Sequence, residues 1–450
     1  MATADTIAAI ATAPGRGAIG LLRISGPIAL EVATSIAGSL PPPRQAGLRT
    51  FRDRDGAAID QGLVLVFPAP RSYTGEHLVE LQGHGGVVLL QLLLEAAIAA
   101  GARMARPGEF SERAFLNGRL DLAQAEAVGD LIDAASRQAV VAAQRSLEGA
   151  FSERVTALAD ELMALRAWVE GALDFSDEDV DWLADDGLRT RLANWSDSLD
   201  ALIAQVGQGR RLREGLVVAI VGQPNVGKST LLNRLAGVEA AIVSDQPGTT
   251  RDTLREHLVL EGMPITIVDT AGLRETDDRI EQEGIRRSWS AVDKAELVLY
   301  LVDDRHDEHP QDLELLARLP VDRPRIVVRN KCDLADRSAQ RLDAASTGIR
   351  LSAATGEGIG LLTTAIREFA GLGAADQQGS SFTARTRHVL ALAETRRHLE
   401  VAMRSLAASS AAELIAEELR LAHAALGEIT GQVTSEDLLG RIFASFCIGK

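Results

Sequence analysis

The residues with the clearest chemical potential form the run Gly222-Gln223-Pro224-Asn225-Val226-Gly227-Lys228-Ser229, a complete G-x-x-x-x-G-K-[ST] loop. It follows the apolar run Leu216–Val221 and opens a helix at Ser229. In that context backbone N–H groups and a helix N-terminus can cradle phosphates. Lys228 is expected to reach the terminal phosphates and Ser229 to ligate Mg²⁺, with Asn225, Val226, Gly227 and Thr230 lining the cradle. Downstream, Asp269-Thr270-Ala271-Gly272 ends the strand-like run Ile265–Val268. Asp269 can hold Mg²⁺ through water, and Gly272 lets a backbone N–H approach a γ-phosphate. Asn330-Lys331-Cys332-Asp333 follows the run Ile326–Val328. The Asp333 carboxylate can accept from the guanine N1 and N2 donors, an arrangement adenine cannot satisfy, and such a mismatch is worth about 10⁴-fold in discrimination. Ser352-Ala353-Ala354, after the run Gly348–Leu351, completes a base pocket. Together these segments predict a guanine-nucleotide site.

Their order and spacing resemble the translation-factor-like GTPases, which implies hydrolysis of an acid anhydride. Ras-like members place a Gln after the D-x-x-G glycine to orient the attacking water. Here that position is Leu273, which neither donates nor accepts, so another group must handle the water. Asn225 together with Gly248-Thr249-Thr250-Arg251-Asp252 resembles the GTPases that use K⁺ near the phosphates. A cation there supplies positive charge where negative charge develops in the transition state.

The elements that must position these loops follow from periodicity. Residues 215–372 alternate apolar strands with helices, the pattern of a doubly wound sheet. Residues 119–212 and 380–450 are Ala/Leu-rich with helical spacing, as at Leu158, Leu162, Leu165 and Val169. Helices thus flank the α/β segment on both sides, and a discontinuous helical domain carrying an inserted nucleotide domain is expected. Residues 1–118 mix short β runs (Ala18–Ile24, Gly62–Phe67), a Pro41-Pro42-Pro43 turn and an apolar helix from Gly86 to Ala100, reading as a compact α+β domain. The acidic stretch Asp174–Asp186 lacks the ligand layout of a calcium loop and reads as a solvated connection.

Composition bounds the function. The chain has 450 residues, 46% hydrophobic and 24% charged, with a formal net charge of −16. That sign disfavours a non-specific nucleic-acid coat, so any nucleic-acid partner must meet a local patch or be shared with another protein. No apolar run is long enough to span a membrane, no secretory signal is visible, and Cys332 and Cys447 cannot build a disulfide framework. A reducing cytoplasm is expected. Only Lys228, Lys294, Lys331 and Lys450 are lysines among 47 basic residues. Where Arg is the default cation, each compact ammonium asks for a reason.

The resemblance extends beyond the nucleotide motifs. Asp5-Thr6-Ile7-Ala8-Ala9-Ile10-Ala11-Thr12, Leu22-Arg23-Ile24-Ser25-Gly26, Tyr73-Thr74-Gly75-Glu76, Pro107–Arg119 and the terminal Cys447-Ile448-Gly449-Lys450 are similar to the MnmE (TrmE) family of tRNA modification GTPases, within the TrmE-Era-EngA-like class. That resemblance implies an N-terminal domain that homodimerises and binds 5-formyltetrahydrofolate or a related folate through Arg23, Glu80, Arg119 and Lys450. It implies K⁺ at Asn225, Ser244, Gln246 and Thr249, Mg²⁺ at Ser229 and Thr250, and nucleotide contacts along Ser244-Asp245-Gln246-Pro247-Gly248. Glu281 would act as general base through a water, although by itself it reads as an ordinary helix-start acid; Arg274 is left unassigned. A flavin-dependent partner, MnmG (GidA), would join it in a heterotetramer that modifies C5 of the wobble uridine of certain tRNAs. The alternative is a K⁺-dependent ribosome-assembly GTPase, which needs a basic RNA-binding appendage, and no basic module follows residue 371. Cys447 has two readings, an exposed thiol near the folate or a packing residue. Cys332 is read as incidental and His84 as a polar turn residue.

Overall fold

The computed structural model describes residues 5–174, 186–237, 255–260, 262–269, 289–290, 292–306, 310–320, 323–343, 347–371, 382–408, 412–432 and 436–449. The chain divides into two compact units, one comprising Met1–Gly129, Leu147–Asp185 and Arg397–Lys450, the other Asp130–Ser146 and Asp186–Arg396.

The first unit is built on a six-stranded sheet: β1 (Ile7–Ile10), β2 (Gly17–Ser25), β3 (Gly47–Arg52), β4 (Ala58–Phe67), β5 (Leu78–Gly85) and β6 (Arg103–Met104), in the order β3-β4-β5-β2-β1-β6. Alternation along β5 sends Val79 and Leu81 into the core and leaves Glu80 and Gln82 on the other face. Helices α1 (Ala29–Ala37) and α2 (Val87–Ala99) pack on the core face, burying Ile36, Phe51, Leu90 and Leu93. β2 and β5 run antiparallel in a register that sets Arg23 directly opposite Glu80. Next come α3 (Glu109–Leu116) and the start of α4 (Leu122–Asp133). Helix α6 (Ala150–Asp174) buries Leu158, Leu162, Leu165 and Val169, as the spacing predicted.

The second unit contains the end of α4, most of α5 (Arg137–Glu148), α7 (Asp186–Glu214) and a seven-stranded sheet. Its strands are β7 (Leu216–Gly222), β8 (Arg255–Leu260), β9 (Met263–Asp269), β10 (Leu297–Asp303), β11 (Arg325–Asn330), β12 (Gln340–Arg341) and β13 (Gly348–Arg350), ordered β12-β13-β11-β10-β7-β9-β8. The central pairs are parallel, with β8 and β12 antiparallel at the edges. Strands buried on both faces read as continuous apolar runs, as in Leu216–Val221 and Leu297–Val302. Helices α8 (Lys228–Ala236), α9 (Pro310–Arg318) and α10 (Ile359–Phe369) flank the sheet. In such a fold ligands bind beyond the carboxyl ends of the strands, and all four nucleotide motifs start there. Helix α11 (Thr386–Ala407) leads on to α12 (Ala412–Thr430) and α13 (Glu436–Ala444) in the first unit, where α12 packs along α6.

Candidate functional site

The phosphate loop leaves β7 at Gly222 and turns through two residues with positive φ, Asn225 at 62° and Gly227 at 102°. A side chain at Gly227 is forbidden twice over, by that φ and because a Cβ would sit 2.3 Å from Asn330 Nδ2. The Lys228 ammonium donates to the carbonyls of Gly222 (2.9 Å) and Gln223 (3.0 Å). Ser229 and Thr230 lie exposed in the first turn of α8. Asp269 closes β9 opposite Ile220 of β7. This register sets the D-x-x-G motif alongside the P-loop strand.

The base-reading loop is fastened to the phosphate loop. Asn330, 2% exposed, donates from Nδ2 to Val226 O at 2.8 Å, and its Oδ1 accepts from Ala353 N at 2.9 Å. One side chain thus ties three of the predicted segments together. The next residue, Lys331, adopts a left-handed backbone (φ 68°) and donates from Nζ to Asn225 O at 2.6 Å and to Asp303 Oδ2 at 2.8 Å. Hydrogen bonds from Arg305, then from Lys331, outweigh the cost of burial and hold the Asp303 carboxyl far below the ordinary carboxylate range. Asp333 is exposed, and its carboxylate accepts no protein hydrogen bond among the described residues. Ser352 is buried; its Oγ accepts from Thr355 N, and Ala353 and Ala354 offer carbonyls to Arg234. Cys332 is fully buried under this loop, and burial pushes its thiol pKa up, giving it a packing role. Asp303 belongs to no motif in the primary sequence, because Lys331, the partner that ties it to the base-reading loop, lies 28 residues away.

A second constellation lies in the first unit. Arg23 donates to Glu80 Oε1 through Nε (3.1 Å) and NH2 (2.8 Å), while among the described residues Glu80 Oε2 makes no hydrogen bond. The guanidinium carbon lies 5.6 and 5.7 Å from the ring centroids of Tyr73 and Phe110, within cation–π range of both. Tyr73 Oη bonds Ser111 Oγ at 2.8 Å, and burial raises its pKa. The C-terminal segment reaches this spot as well. Phe443 and Phe446 pack with Phe115 and Leu122, Gly108 N donates to Cys447 O, and Arg23 NH1 donates to Gly449 O at 3.2 Å. Gly449 takes φ 95°, and a Cβ there would meet Ile10 O at 2.5 Å. Beneath the site Glu109, 1% exposed, opposes ionisation by its burial, yet hydrogen bonds from Arg103, Arg106 N and Arg113 hold its pKa down at about 2.

The structure therefore brings together Asn225, Val226, Gly227, Lys228, Asn330, Lys331 and Ala353, and separately Arg23 and Glu80. Arg119 follows α3 and lines a cleft that shares Tyr73 with Arg23. Ser244, Asp245, Gln246, Pro247, Gly248, Thr249, Thr250, Thr270, Ala271, Gly272, Leu273, Arg274, Glu281 and Lys450 lie outside the described residues, as do the side chain of Asp269 and residues 175–185. Sequence motifs contained Tyr73 and Phe110 without giving either a role. His84 corrects an expectation: it belongs to β5 rather than a turn, and its Nδ1 and backbone N both bond the Asp60 carboxylate (2.9 and 2.8 Å). The glycines around it allow that approach, which made the segment look like a turn. Cys447 is exposed.

A complete phosphate loop on a doubly wound sheet, fastened to an N-K-x-D loop, defines a P-loop GTPase with an α+β N-terminal unit. Residues 122–447 match the MnmE helical domain model, and residues 6–119 match the model for the GTP-binding protein TrmE N-terminus. A tRNA modification GTPase MnmE from Thiobacillus denitrificans (strain ATCC 25259 / T1) is 54% identical over 446 residues, 99% of this chain and 98% of the relative. The chain accordingly belongs to the MnmE family of tRNA modification GTPases. Among solved structures, a variant of Era from Aquifex aeolicus bound to GDP.AlF4- is 26% identical, with TM-score 0.28, over 41% of this chain and 67% of that one. The G domain of the T. maritima FeoB transporter is 28% identical, with TM-score 0.27, over 34% of this chain and 98% of that one. Among the described residues no helix is long and apolar enough to cross a membrane. The TrmE N-terminal match sets the ribosome-assembly alternative aside.

Proposed function

We propose that this protein couples GTP hydrolysis to one-carbon chemistry at C5 of the wobble uridine of certain tRNAs, working in the cytoplasm with a flavin-dependent partner. In this reading residues 1–118 bind a folate and homodimerise, 119–212 and 380–450 form the helical domain, and 215–372 form the G domain. The observation that carries the reading is the convergence on Arg23: Glu80 in register beside it, two aromatic rings within cation–π range of it, and the Gly449 carbonyl docked onto it. A cation near two aromatic rings and beside a carboxylate with one spare oxygen suits a ligand that is a flat heterocycle at one end and an acid at the other. Glu80 would accept from the pterin, while Arg23, Arg119 and Lys450 would grip carboxylates.

In the nucleotide site, the P-loop amides and Lys228 would hold the phosphates and Asp333 would read the base. Ser229 and Thr250 would ligate Mg²⁺, and Asn225, Ser244, Gln246 and Thr249 would hold K⁺. The exposed Ser229 hydroxyl in the first turn of α8, beside the β9 end, fits a hard oxygen-preferring cation. Both cations, when bound, supply positive charge at the phosphates. Glu281 would orient the attacking water in place of the side chain that Leu273 lacks. Calorimetry with 5-formyltetrahydrofolate tests the reading: saturable binding to the full chain that Arg23→Ala abolishes supports it, and no binding by folded protein sinks it. Replacing K⁺ by Na⁺ at equal ionic strength should cut turnover steeply, and equal rates would remove the cation assignment.

A further inference from the structure

One cationic cleft in the first unit exceeds what a simple folate needs. It is an open cleft of about 460 Å³ lined by Arg44, Phe67, Arg71, Ser72, Tyr73 and Arg119. That volume lies within the roughly 300–1,000 Å³ typical of small-molecule sites. Three arginines and, among the described residues, no carboxylate line this one space, in a chain whose net charge is −16. Among the described residues, neither Arg71 nor Arg119 makes a side-chain hydrogen bond or ion pair.

Arg44 is held in place. Its backbone sits at φ 63°, its N–H donates to Val66 O at 2.9 Å, and its guanidinium lies 5.7 Å from the Phe67 ring while donating to the Arg71 carbonyl. Tyr73 is the shared wall: one side lines the cleft, and its ring centroid lies 5.6 Å from Arg23. The cleft and the Arg23–Glu80 pair therefore neighbour one another through Tyr73.

We propose that this cleft takes the γ-linked glutamyl tail of a polyglutamylated folate, with Arg44 and Arg71 as the residues that read it; the proposal rests on the folate reading above. A folate with one glutamate carries two carboxylates, for which Arg23 and Arg119 suffice. Each further glutamate adds one more, and Arg44 and Arg71 are the cations left to meet them. Charge-assisted guanidinium–carboxylate bonds at partly exposed positions make such a tail worth about tenfold in affinity. Exposed arginines gathered around one open cleft beside the folate residues suit a short acidic chain better than RNA, whose contacts follow a basic stripe.

The test is calorimetric titration of the full-length protein with monoglutamyl and tetraglutamyl 5-formyltetrahydrofolate at two salt concentrations. Wild-type protein should bind the tetraglutamyl form about tenfold tighter at low salt, the margin shrinking as salt rises. The double variant Arg44→Ala, Arg71→Ala should bind both forms alike, and Arg44→Lys with Arg71→Lys should restore part of the preference. Binding of both forms with equal affinity by wild type, or a preference that survives in the double alanine variant, overturns the tail assignment and leaves the folate reading intact. If neither form binds the folded wild-type protein, the folate reading fails and takes the proposal with it. A double variant that loses tRNA binding while keeping its folate preference assigns the cleft to RNA and overturns the proposal.

Discussion

Asn330→Ala removes the side chain that joins the base-reading loop to the phosphate loop, and the structure sets the size of the effect. Two hydrogen bonds disappear, Nδ2 to Val226 O and Ala353 N to Oδ1. Val226, Asn330 and Ala353 are buried, 3%, 2% and 1% exposed, so water cannot readily replace the lost partners. An orphaned buried polar group costs about 1–3 kcal/mol, which gives roughly 2–6 kcal/mol for the pair. Both orphans belong to loops that must be ordered when nucleotide binds, so the loss falls on GTP affinity as well as on stability. At the low end, about 2 kcal/mol corresponds to about 30-fold in Kd. The assay is titration of the full chain with a fluorescent GTP analogue, alongside thermal melting. Asn330→Asp sharpens the test. It keeps the acceptor for Ala353 N but sets a carboxylate oxygen where the donor to Val226 O stood, and it should bind at least as poorly as the alanine variant. A Kd within threefold of wild type for Asn330→Ala, with unchanged melting, would refute the claim that this side chain unites the site.

Other consequences can be checked separately. Asp333→Asn should lower GTP affinity by about 10²- to 10⁴-fold while raising that for the xanthine analogue, whose C2 carbonyl suits an amide donor; competition binding reads both. Glu109 is held near pKa 2 against an ordinary 4.5, so its ionised form contributes stability above about pH 4.5 that is lost as pH falls toward 2. The difference between 4.5 and about 2 corresponds to about 3 kcal/mol. Amide exchange in α3 of the full chain should accelerate across that window, and Glu109→Gln should flatten the acid branch; an unchanged pH slope contradicts the assignment. Gly449→Ala places a Cβ against Ile10 O and forces the Gly449 carbonyl away from Arg23. Folate affinity should fall about tenfold or more with GTP hydrolysis retained, and equal folate affinity would detach the C-terminal segment from the site.

What the sequence made legible was local. The phosphate loop and the N-K-x-D motif each lie within eight residues, the first after a strand buried almost throughout and the second after one that buries alternate residues, so composition and spacing carry the signal. The α6 core stripe follows helical periodicity for the same reason. Arg23 was different. Its partners come from position 80, from two rings at 73 and 110, and from a carbonyl 426 residues away, and no periodicity links them; family resemblance supplied that site. Arg44 and Arg71 gave no local signal either, because an exposed arginine beside a turn looks like any solvated surface. His84 misled for a physical reason: glycines flanking a strand end admit a buried carboxylate, and in sequence they are indistinguishable from a turn.

The scarcity of lysine gains a physical account once the contacts are known. Lys228 donates to Gly222 O and Gln223 O, and Lys331 to Asn225 O and Asp303, so two of the four lysines bind consecutive stretches of the same loop backbone. An ammonium offers three donors in a tetrahedral fan and can serve carbonyls converging from different directions. A guanidinium presents a planar fork suited to one flat acceptor pair. Substituting Arg at either place would demand that the loop reshape around the fork. Asn330 and Lys331, adjacent in sequence, reach Val226 O and Asn225 O, also adjacent, from a strand whose neighbour supplies Asp303. Base recognition and phosphate recognition are thus parts of one hydrogen-bonded body, and a change in the hold on the base must be felt at the loop that would hold the phosphates. Lys294, exposed and outside these motifs, is the one described lysine that this argument leaves to chance.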